Sequence, residues 1–473
     1  MRWGTGALVT ILAVVCVASA SGRGAPKPGA ACTRAGAHAG YRHGTLVCRR
    51  KGKKLVWTAV KPTGKQKGAA GGGPGEQGGG SGGSGPSSSG PGSSGPPGSA
   101  LGDGHALAGP NCKGTGSQPL THMPMDPGDF LYLLPYGLMT TNHVLPVDHQ
   151  YFGVDPSSPR DAYPVYAAAD ATIVNIQHRT EAPQGSTGAG AGNGAGTKDE
   201  YRIVFSVSCT FFYYYDLVTS LAPQLKTAFD AAQRDNSAQL DYPVKSGDQI
   251  GRIGGQTMDF AVWDTTKTLS GFVVPAHYYD SNEVWKVHTV DPLDYASADV
   301  KAAMLAKDLR SVEPRSGKLD WDADGKLRGN WFLKGTDGNN GEPANPNGYW
   351  VSFLSFSPDY LDPSRFWISM GDYDGKPIQY TALGNTPDPA TVGPDSGLVK
   401  YQLTDGSAYV TPAGAHWDGL GLVPGLRLVG GTNVVGTVLV QMTDGRTLEF
   451  EAFPGKTAGQ VSGFDAAAKT YTR

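Results

Sequence analysis

The amino-acid sequence predicts a mainly β protein with two successive β domains after residue 110. Residues Tyr201–Tyr215 read YRIVFSVSCTFFYYY, a long run of β-branched and aromatic residues, and Ala162–Gln177 alternate as a pair of strands. Between residues 311 and 473, repeated Asp-Gly steps separate short runs such as YWVSFLSF and TVLVQM. We therefore expect a β-sheet domain at 111–310 and a second antiparallel β domain, a meander or a sandwich, at 311–473.

The first 20 residues, MRWGTGALVTILAVVCVASA, have the pattern of a secretory signal peptide. Arg2 precedes an apolar run from Ala7 to Val17, and small residues follow at the expected cleavage site. This run is too short to cross a bilayer, and no later stretch has the roughly 18 apolar residues that a membrane helix needs. We therefore expect an exported chain, secreted or associated with the cell wall, without a membrane span.

A small module at 21–62 and a linker at 63–110 are expected to follow. Four cysteines lie beyond residue 20, an even number that favours disulfides in an exported protein. Because so small a module needs a covalent staple, we pair Cys32 with Cys48, which leaves Cys112 for Cys209. The linker contains GAAGGGPGEQGGGSGGSGPSSSGPGSSGPPGSA, a composition that cannot form a hydrophobic core.

One inserted helix is expected within the 111–310 domain, where the period of the apolar residues changes. The change falls between Leu217 and Leu240, and Pro223 is tolerated there because it lies in the first helical turn. Four residues recur at helical spacing: Leu221, Leu225, Phe229 and Ala232. The helix should cover part of the sheet.

Two motifs in this domain resemble those of the lysostaphin-type zinc endopeptidases, which cut peptidoglycan and have the duplicated hybrid motif fold. The family's Pro-Val-x-Ala strand corresponds to Pro164-Val165-Tyr166-Ala167. Its Val-x-x-Gly-x-x-Ile-Gly hairpin corresponds to the stretch from Val244 to Gly251, VKSGDQIG. The resemblance covers roughly residues 140–295 and implies a lysostaphin-type β-sheet domain, with a groove for a wall peptide.

The residues that the resemblance implies for catalysis are replaced in this chain. The family's helper histidine, in Tyr-x-His-Leu, corresponds to Asp216, and the two histidines of its His-x-His strand correspond to Met258 and Phe260. Met and Phe cannot replace an imidazole at a water-activating zinc site. We therefore expect a degenerate, non-catalytic domain that acts in binding, as a scaffold or in regulation, with no cofactor.

A zinc peptidase with rearranged ligands is the alternative. His149 and Asp155 can stand for the family's first two ligands, although they are six residues apart and the family spacing is four. His277 and His288 follow the hairpin and are the remaining metal-ligand candidates. Isolated histidines without a fixed spacing are equally typical of ordinary turns and strands.

A groove lined by aromatic side chains would survive the loss of zinc ligands. Such side chains are also typical of a β core, since alternation points about half of them inward. The candidates are Tyr151, Phe152, Tyr213, Tyr215 and Trp263. The partners that we consider are cell-wall glycan or peptide, or another envelope protein. Nucleic acid is not expected, because the formal net charge is −2 and 17% of residues are charged.

In the last domain, LDWDADGKLRG begins like a calcium-binding loop, with Asp320, Asp322 and Asp324 at alternate positions. The twelfth position of that loop would be Trp331 and not an acid. A tight turn at Asp324-Gly325 explains the same residues, so the sequence favours a hairpin over a calcium site.

Overall fold

Antiparallel strands build the sheets of this computed structural model, which describes residues 38–41, 44–51, 54–59, 111–180, 199–279, 283–341 and 348–473. The chain divides into two compact units, Met1–Gly90 and Pro91–Arg473. In the first unit, the described strands are β1 (His38–Tyr41), β2 (Gly44–Lys51) and β3 (Lys54–Ala59), which pair in that order. The expected signal peptide, the linker at 63–110 and the Cys32 end of the Cys32–Cys48 pair lie outside the described residues.

The second unit begins with a large sheet and a smaller one. The large sheet has the order β11-β7-β8-β9-β13-β5-β4, with β14 also paired to β13, and the small sheet has the order β10-β12-β6. The strands are β4 (Tyr132–Leu134), β5 (Gln150–Gly153), β6 (Tyr163–Tyr166), β7 (Ala171–Arg179), β8 (Glu200–Ser206), β9 (Phe211–Val218), β10 (Ser220–Leu221), β11 (Ser237–Val244), β12 (Gln249–Ile253), β13 (Met258–Asp264) and β14 (Thr289–Val290).

Both faces of the large sheet are buried at its centre, and strand β9 shows why its sequence is so uniformly apolar. Phe211, Tyr213 and Tyr215 point into one hydrophobic core, while Phe212 and Tyr214 point into another on the opposite face. A strand covered on both sides needs apolar residues at every position, whereas a half-exposed strand alternates. The run that predicts a strand therefore also marks the middle of the sheet.

Among the described residues, three α-helices accompany these sheets: α1 (Pro223–Ala232), α2 (Ala276–Tyr279) and α3 (Ala298–Lys307). Helix α1 is the expected inserted helix. Pro223 lies in its first turn, where no backbone N–H is needed, and Leu225 and Phe229 are its buried residues. No helix of the described residues is long and apolar enough to cross a membrane.

A disulfide joins Cys112, at the start of this domain, to Cys209 in the turn between β8 and β9. The two cysteines are 97 residues apart in sequence, and their Cα atoms lie 5.2 Å apart. This is the pairing that the sequence predicts for these two cysteines. By closing so long a loop, the bond restricts the unfolded chain and stabilises the folded one.

The last domain is a closed barrel of eight antiparallel strands, so the expected meander closes on itself. Neighbouring strands follow chain order, and the first and last strands pair through Phe332 with Thr472 and Leu333 with Tyr471. Strands β20 and β21 form a separate hairpin. The strands are β15 (Gly329–Leu333), β16 (Phe353–Pro358), β17 (Phe366–Tyr373), β18 (Lys376–Ala382), β19 (Val399–Asp405), β20 (Ala408–Val410), β21 (Arg427–Val429), β22 (Asn433–Met442), β23 (Thr447–Pro454) and β24 (Lys469–Thr472).

One hairpin turn of the barrel uses an Asp-Gly step of the kind noted in the sequence. Between β17 and β18, Asp374 and Gly375 have φ values of 54° and 82°, the left-handed conformation that a two-residue turn between antiparallel strands requires. Together with the sheet domain and its helix, the barrel confirms the prediction of a mainly β fold with a second antiparallel β domain.

Candidate functional site

The candidate site lies where β9, β13 and β5 run side by side, at the position that the lysostaphin-type resemblance assigns to catalysis. Register places Asp259 of β13 directly between Asp216 of β9 and Tyr151 of β5. Directly paired residues share one face of a sheet, so these three side chains are neighbours. Two carboxylates therefore face each other in the interior, an arrangement that needs compensating cations.

His149, just before β5, provides one of these cations. Its Nδ1 lies 3.1 Å from Asp148 Oδ1, and its Nε2 lies 2.9 Å from the Tyr151 hydroxyl and 3.5 Å from Asp259 Oδ2. The side chain of His149 is 10% exposed. Both ring nitrogens therefore have partners within the protein, and His149 bridges two acidic side chains.

Two arginines on the neighbouring strands hold Asp216. Arg179, at the end of β7, donates from Nη2 to Asp216 Oδ1, and Arg202 of β8 donates from Nε to Oδ2 at 2.8 Å. The backbone N–H of Leu217 also donates to Asp216, at 2.8 Å. Arg179 further contacts Glu200 at 3.2 Å. Both carboxylate oxygens of Asp216 are thus occupied by donors from the protein.

The electrostatics of the site follow from burial and from these pairs. Burial alone would raise the pKa of Asp216, but Arg202 and Arg179 hold this pKa below its usual value. Burial lowers the pKa of His149, but the Asp259 and Asp148 carboxylates raise it by more, so the pKa of the imidazole lies above its usual value. Burial raises the pKa of Asp259 to about 7 against the attraction of His149, and the charge of Asp216 adds to the increase. Of the acids in the cluster, Asp259 is therefore the one whose negative charge is balanced least by nearby cations.

The hydrogen bonds of Asp259 also show that its charge is incompletely balanced. Its Oδ1 atom is buried and has no hydrogen-bond partner among the described residues, as is also true of Gln150 Oε1 on the adjacent strand. An unpaired buried oxygen is tolerated better on a protonated acid than on a carboxylate. The raised pKa and the unpaired oxygen therefore agree: proton uptake by Asp259 removes a buried negative charge that lacks full compensation.

The open face of the site is covered by aromatic side chains. Trp263 stacks on Tyr214 and on Trp285, with ring centroids 4.8 and 4.9 Å apart, and Trp285 donates from Nε1 to Asp148 Oδ2 at 2.9 Å. The same hydrophobic cluster contains Phe332 of β15, Trp350, which precedes β16, and Phe353, which begins it. Residues of the barrel and Trp285 therefore pack against the face of the sheet that carries Tyr214 and Trp263.

The residues that correspond to the family's catalytic histidines lie on two different faces of the sheet. Met258 and Phe260 are fully buried in the core on one face of the sheet, with Tyr215 and Phe152. Asp259, between them in sequence, points to the other face, toward His149 and Asp216. Asp216 therefore belongs to the cluster, whereas Met258 and Phe260 do not.

The four metal-ligand candidates are likewise dispersed. Asp155 accepts hydrogen bonds from Ser157 in its own turn, the ring of His277 lies 5.1 Å from that of Phe332, and His288 Nδ1 contacts the Lys267 carbonyl at 2.6 Å. Only His149 lies in the cluster. Within the described ranges, no group of three His, Cys, Asp or Glu side chains is arranged to hold a metal ion.

The donor set does not fit the zinc ion that the resemblance implies. His149 uses both ring nitrogens for protein contacts, and the two oxygens of Asp216 receive charged arginine donors. Arginine cations beside a site oppose the binding of a further dication. The cluster is built to neutralise charges within the protein.

The five aromatic candidates for a groove lie in the interior, and none is more than 8% exposed. They are divided between the two faces of the sheet. Phe152, Tyr213 and Tyr215 belong to the core beside Met258, and Trp263 belongs to the cluster beneath the barrel. Tyr151 contacts His149.

Sequence reasoning missed the two arginines, Arg179 and Arg202. Arg202 lies within β8, between Tyr201 and Ile203, whereas Arg179 ends β7 beside Gln177 and His178. A charged residue within a mostly apolar strand must find a partner, and this signal could have found Arg202. The surroundings of Arg179 in the sequence give no such signal.

The calcium-like loop is satisfied by protein groups. Asp320 accepts from the Gly271 backbone N–H at 2.7 Å and from Lys318 at 2.6 Å, and Asp322 accepts from the backbone N–H groups of Val273 and Asn330. The acids therefore attach the sheet domain to the start of the barrel.

Comparison with known proteins gives little similarity. No family model and no curated protein matches the chain. A solved structure of Helicobacter pylori Csd3 is similar over 39% of this chain and 36% of that chain, at 12% identity and a TM-score of 0.19. The matched part of that protein is thus just over a third of its length. This similarity is too weak to carry an argument about family or function.

Proposed function

We propose that this protein is an exported cell-envelope protein whose sheet domain is a non-catalytic relative of the lysostaphin-type peptidases and acts by binding or as a scaffold. The leader-like first 20 residues and the Cys112–Cys209 disulfide support export to an oxidising compartment. The Pro164–Ala167 and Val244–Gly251 motifs support the relationship to wall peptidases. In the structure these two motifs are neighbours, since β12 pairs with β6.

The observation that carries the non-catalytic role is the closed charge cluster. In a hydrolase, the groups that activate water must keep unshared lone pairs and an approach for the substrate. Here the carboxylate of Asp216 is bound by two arginines, His149 bridges two acids, and Trp285 donates a hydrogen bond to Asp148. Two positions to which the resemblance gives a chemical role, His149 and Asp216, are thus engaged in ion pairs within the protein.

Two measurements on the purified mature protein test this proposal. Metal analysis by mass spectrometry should find no stoichiometric zinc after extensive dialysis. Isolated peptidoglycan sacculi should retain the protein in a sedimentation assay without release of new amino termini, with an active lysostaphin-type peptidase as the positive control. Binding without cleavage is the expected result.

The rearranged-ligand peptidase makes the opposite prediction. One zinc ion per chain, together with cleavage of cross-bridges, would overturn the non-catalytic role, and loss of both in His149→Ala would place the metal in the cluster. Failure to sediment with sacculi would instead remove wall binding and leave another envelope protein as the partner.

A further inference from the structure

The strongest unassigned feature is a cavity of about 270 Å³ between the sheet domain and the outer wall of the barrel. One side is formed by the segment that precedes β5, and the other by the loop after β16 together with strands β17 and β20. The principal lining residues are Leu138, Met139, Thr140, Tyr360, Trp367 and Tyr409. Its volume is close to the lower limit for pockets that hold small organic ligands.

The aromatic wall of this cavity is held in place by Asp359, which contacts the polar edges of Trp367 and Tyr409. This carboxylate is fully buried and accepts hydrogen bonds at Oδ2 from Trp367 Nε1, at 2.8 Å, and from the Tyr409 hydroxyl. Its Oδ1 accepts from the backbone N–H groups of Leu361 and Asp362 at 3.0 and 2.7 Å. With four donors, Asp359 orients both rings, and the ring of Tyr360 lies 5.8 Å from that of Tyr409.

The opposite wall is held in place by Gln379, which also lines the cavity. Its Nε2 donates to the Thr141 carbonyl at 2.9 Å and to Ser369 Oγ at 3.1 Å. Thr141 has a φ of 49°, a conformation that threonine rarely adopts and that this hydrogen bond helps to maintain. The cavity is therefore preformed, which reduces the entropy lost when a ligand binds.

The chemistry of the lining selects for a neutral ligand with apolar faces and a polar rim. Three aromatic rings, a thioether and an aliphatic chain provide apolar contact, while Thr140 and Gln379 add a hydroxyl and an amide. None of the described lining residues carries a charge. A pyranose ring has this character, because its C–H faces pack on aromatic rings and its equatorial hydroxyls form hydrogen bonds.

We propose that this cavity binds one sugar unit of a neutral glycan, with Trp367 and Tyr409 as the aromatic platform. The assignment of that sugar to the N-acetylhexosamine of wall glycan rests on the proposed function. A cation is the competing occupant, since aromatic rings also attract ammonium groups. The Asp359 carboxylate lies at the polar edges of Trp367 and Tyr409 and already accepts from four donors, which favours the neutral ligand.

The test is calorimetric titration of the full mature protein with a β-1,4-linked N-acetylglucosamine tetramer. We expect saturable binding that Trp367→Ala weakens by roughly 3- to 10-fold, the range for loss of one aromatic contact. Because Trp367 also contacts Asp359, Thr140→Arg serves as a second variant that fills the cavity from the other wall and should abolish binding. Thr443→Arg, at an exposed position of the barrel, is the matched control and should bind as the natural protein does. Thermal unfolding checks that each variant is folded.

Three results would overturn the proposal: no binding of the tetramer, binding that Thr140→Arg leaves unchanged, or binding of tetramethylammonium in place of the sugar. Sedimentation with sacculi separates this proposal from the proposed function. Sacculus binding without any binding of the tetramer would refute the cavity and leave the wall-binding role, whereas tetramer binding without sacculus binding would do the reverse.

Discussion

The sheet domain and the barrel bury their polar residues in different ways. In the sheet domain, four buried charged residues, Asp148, His149, Asp216 and Asp259, form ion pairs with one another and with the partly exposed Arg179 and Arg202. On the barrel strands the buried polar groups are mostly hydroxyls, which alternate with core residues and so lie on the outer wall: Ser355, Ser357, Ser369, Thr381, Thr404 and Thr437.

The buried ion pairs of the sheet domain and the hydroxyl pairs of the barrel should respond differently to the loss of one partner. The barrel hydroxyls satisfy one another at short range, as between Ser355 and Ser357 at 2.8 Å and between Thr381 and Thr404 at 2.8 Å. A neutral pair loses little when one partner is removed, whereas a buried charge left without its partner is strongly destabilising. The stability of the sheet domain should therefore depend on single charged residues and on pH, and that of the barrel should not.

Removal of Asp216 should have the largest effect. Asp216→Ala leaves the Arg179 and Arg202 guanidiniums without their shared carboxylate, and we expect a loss of about 3 kcal/mol or more in the free energy of unfolding. Urea unfolding followed by tryptophan fluorescence measures it. Asp230→Ala, which breaks the exposed pair with Lys226, is the matched control and should change stability by less than about 0.5 kcal/mol. Equal effects of the two substitutions would show that the buried cluster has no special role.

An intermediate effect is expected for the pH dependence caused by Asp259. Its pKa is raised from 3.8 to about 7 in the folded protein, chiefly by burial, so the folded state binds the proton more tightly than the unfolded state does. This contribution to stability is complete below about pH 4 and is lost as the pH rises through 7. His149 acts in the same direction, because its folded pKa is also raised. Asp216, with a lowered pKa, loses its contribution only as the pH falls below its usual value of 3.8.

Asp259→Asn should remove most of this dependence. The natural protein should be less stable at pH 8 than at pH 5 by roughly 1–4 kcal/mol, and the variant should show a smaller difference. Urea unfolding at the two pH values gives the comparison. Stability of the natural protein that rises from pH 5 to pH 8 would contradict the raised pKa.

The smallest effect is expected inside the barrel, at Tyr401. Its hydroxyl is buried and has no hydrogen-bond partner among the described residues, and its ring packs between Phe356 and Phe366. Tyr401→Phe removes an unsatisfied polar atom without changing the packing, so we expect a change within about 1 kcal/mol, toward greater stability. A marked loss of stability would reveal a partner for this hydroxyl and would make the barrel interior as polar as the sheet domain.

Much of the local structure was predictable because it depends on near neighbours in sequence. Alternation and β-branched runs located β6 to β9, and the helical spacing of Leu225 and Phe229 located α1. The Asp374-Gly375 step predicts a turn because these residues tolerate positive φ, and this preference needs no tertiary contact. Closure of the barrel was not predictable in this way, since β15 and β24 pair across more than a hundred intervening residues.

The sequence by itself determined the β class, the helix, the turns and the substitution of a carboxylate, Asp216, for the expected imidazole. Only the tertiary structure decided which side chains form the site. In a strand, neighbouring residues point to opposite faces, so a register different by one residue exchanges Met258 and Phe260 for Asp259. That register is set by long-range pairing with β5 and β9, and tertiary packing also brings residues of the barrel against the face of the sheet that carries Tyr214 and Trp263.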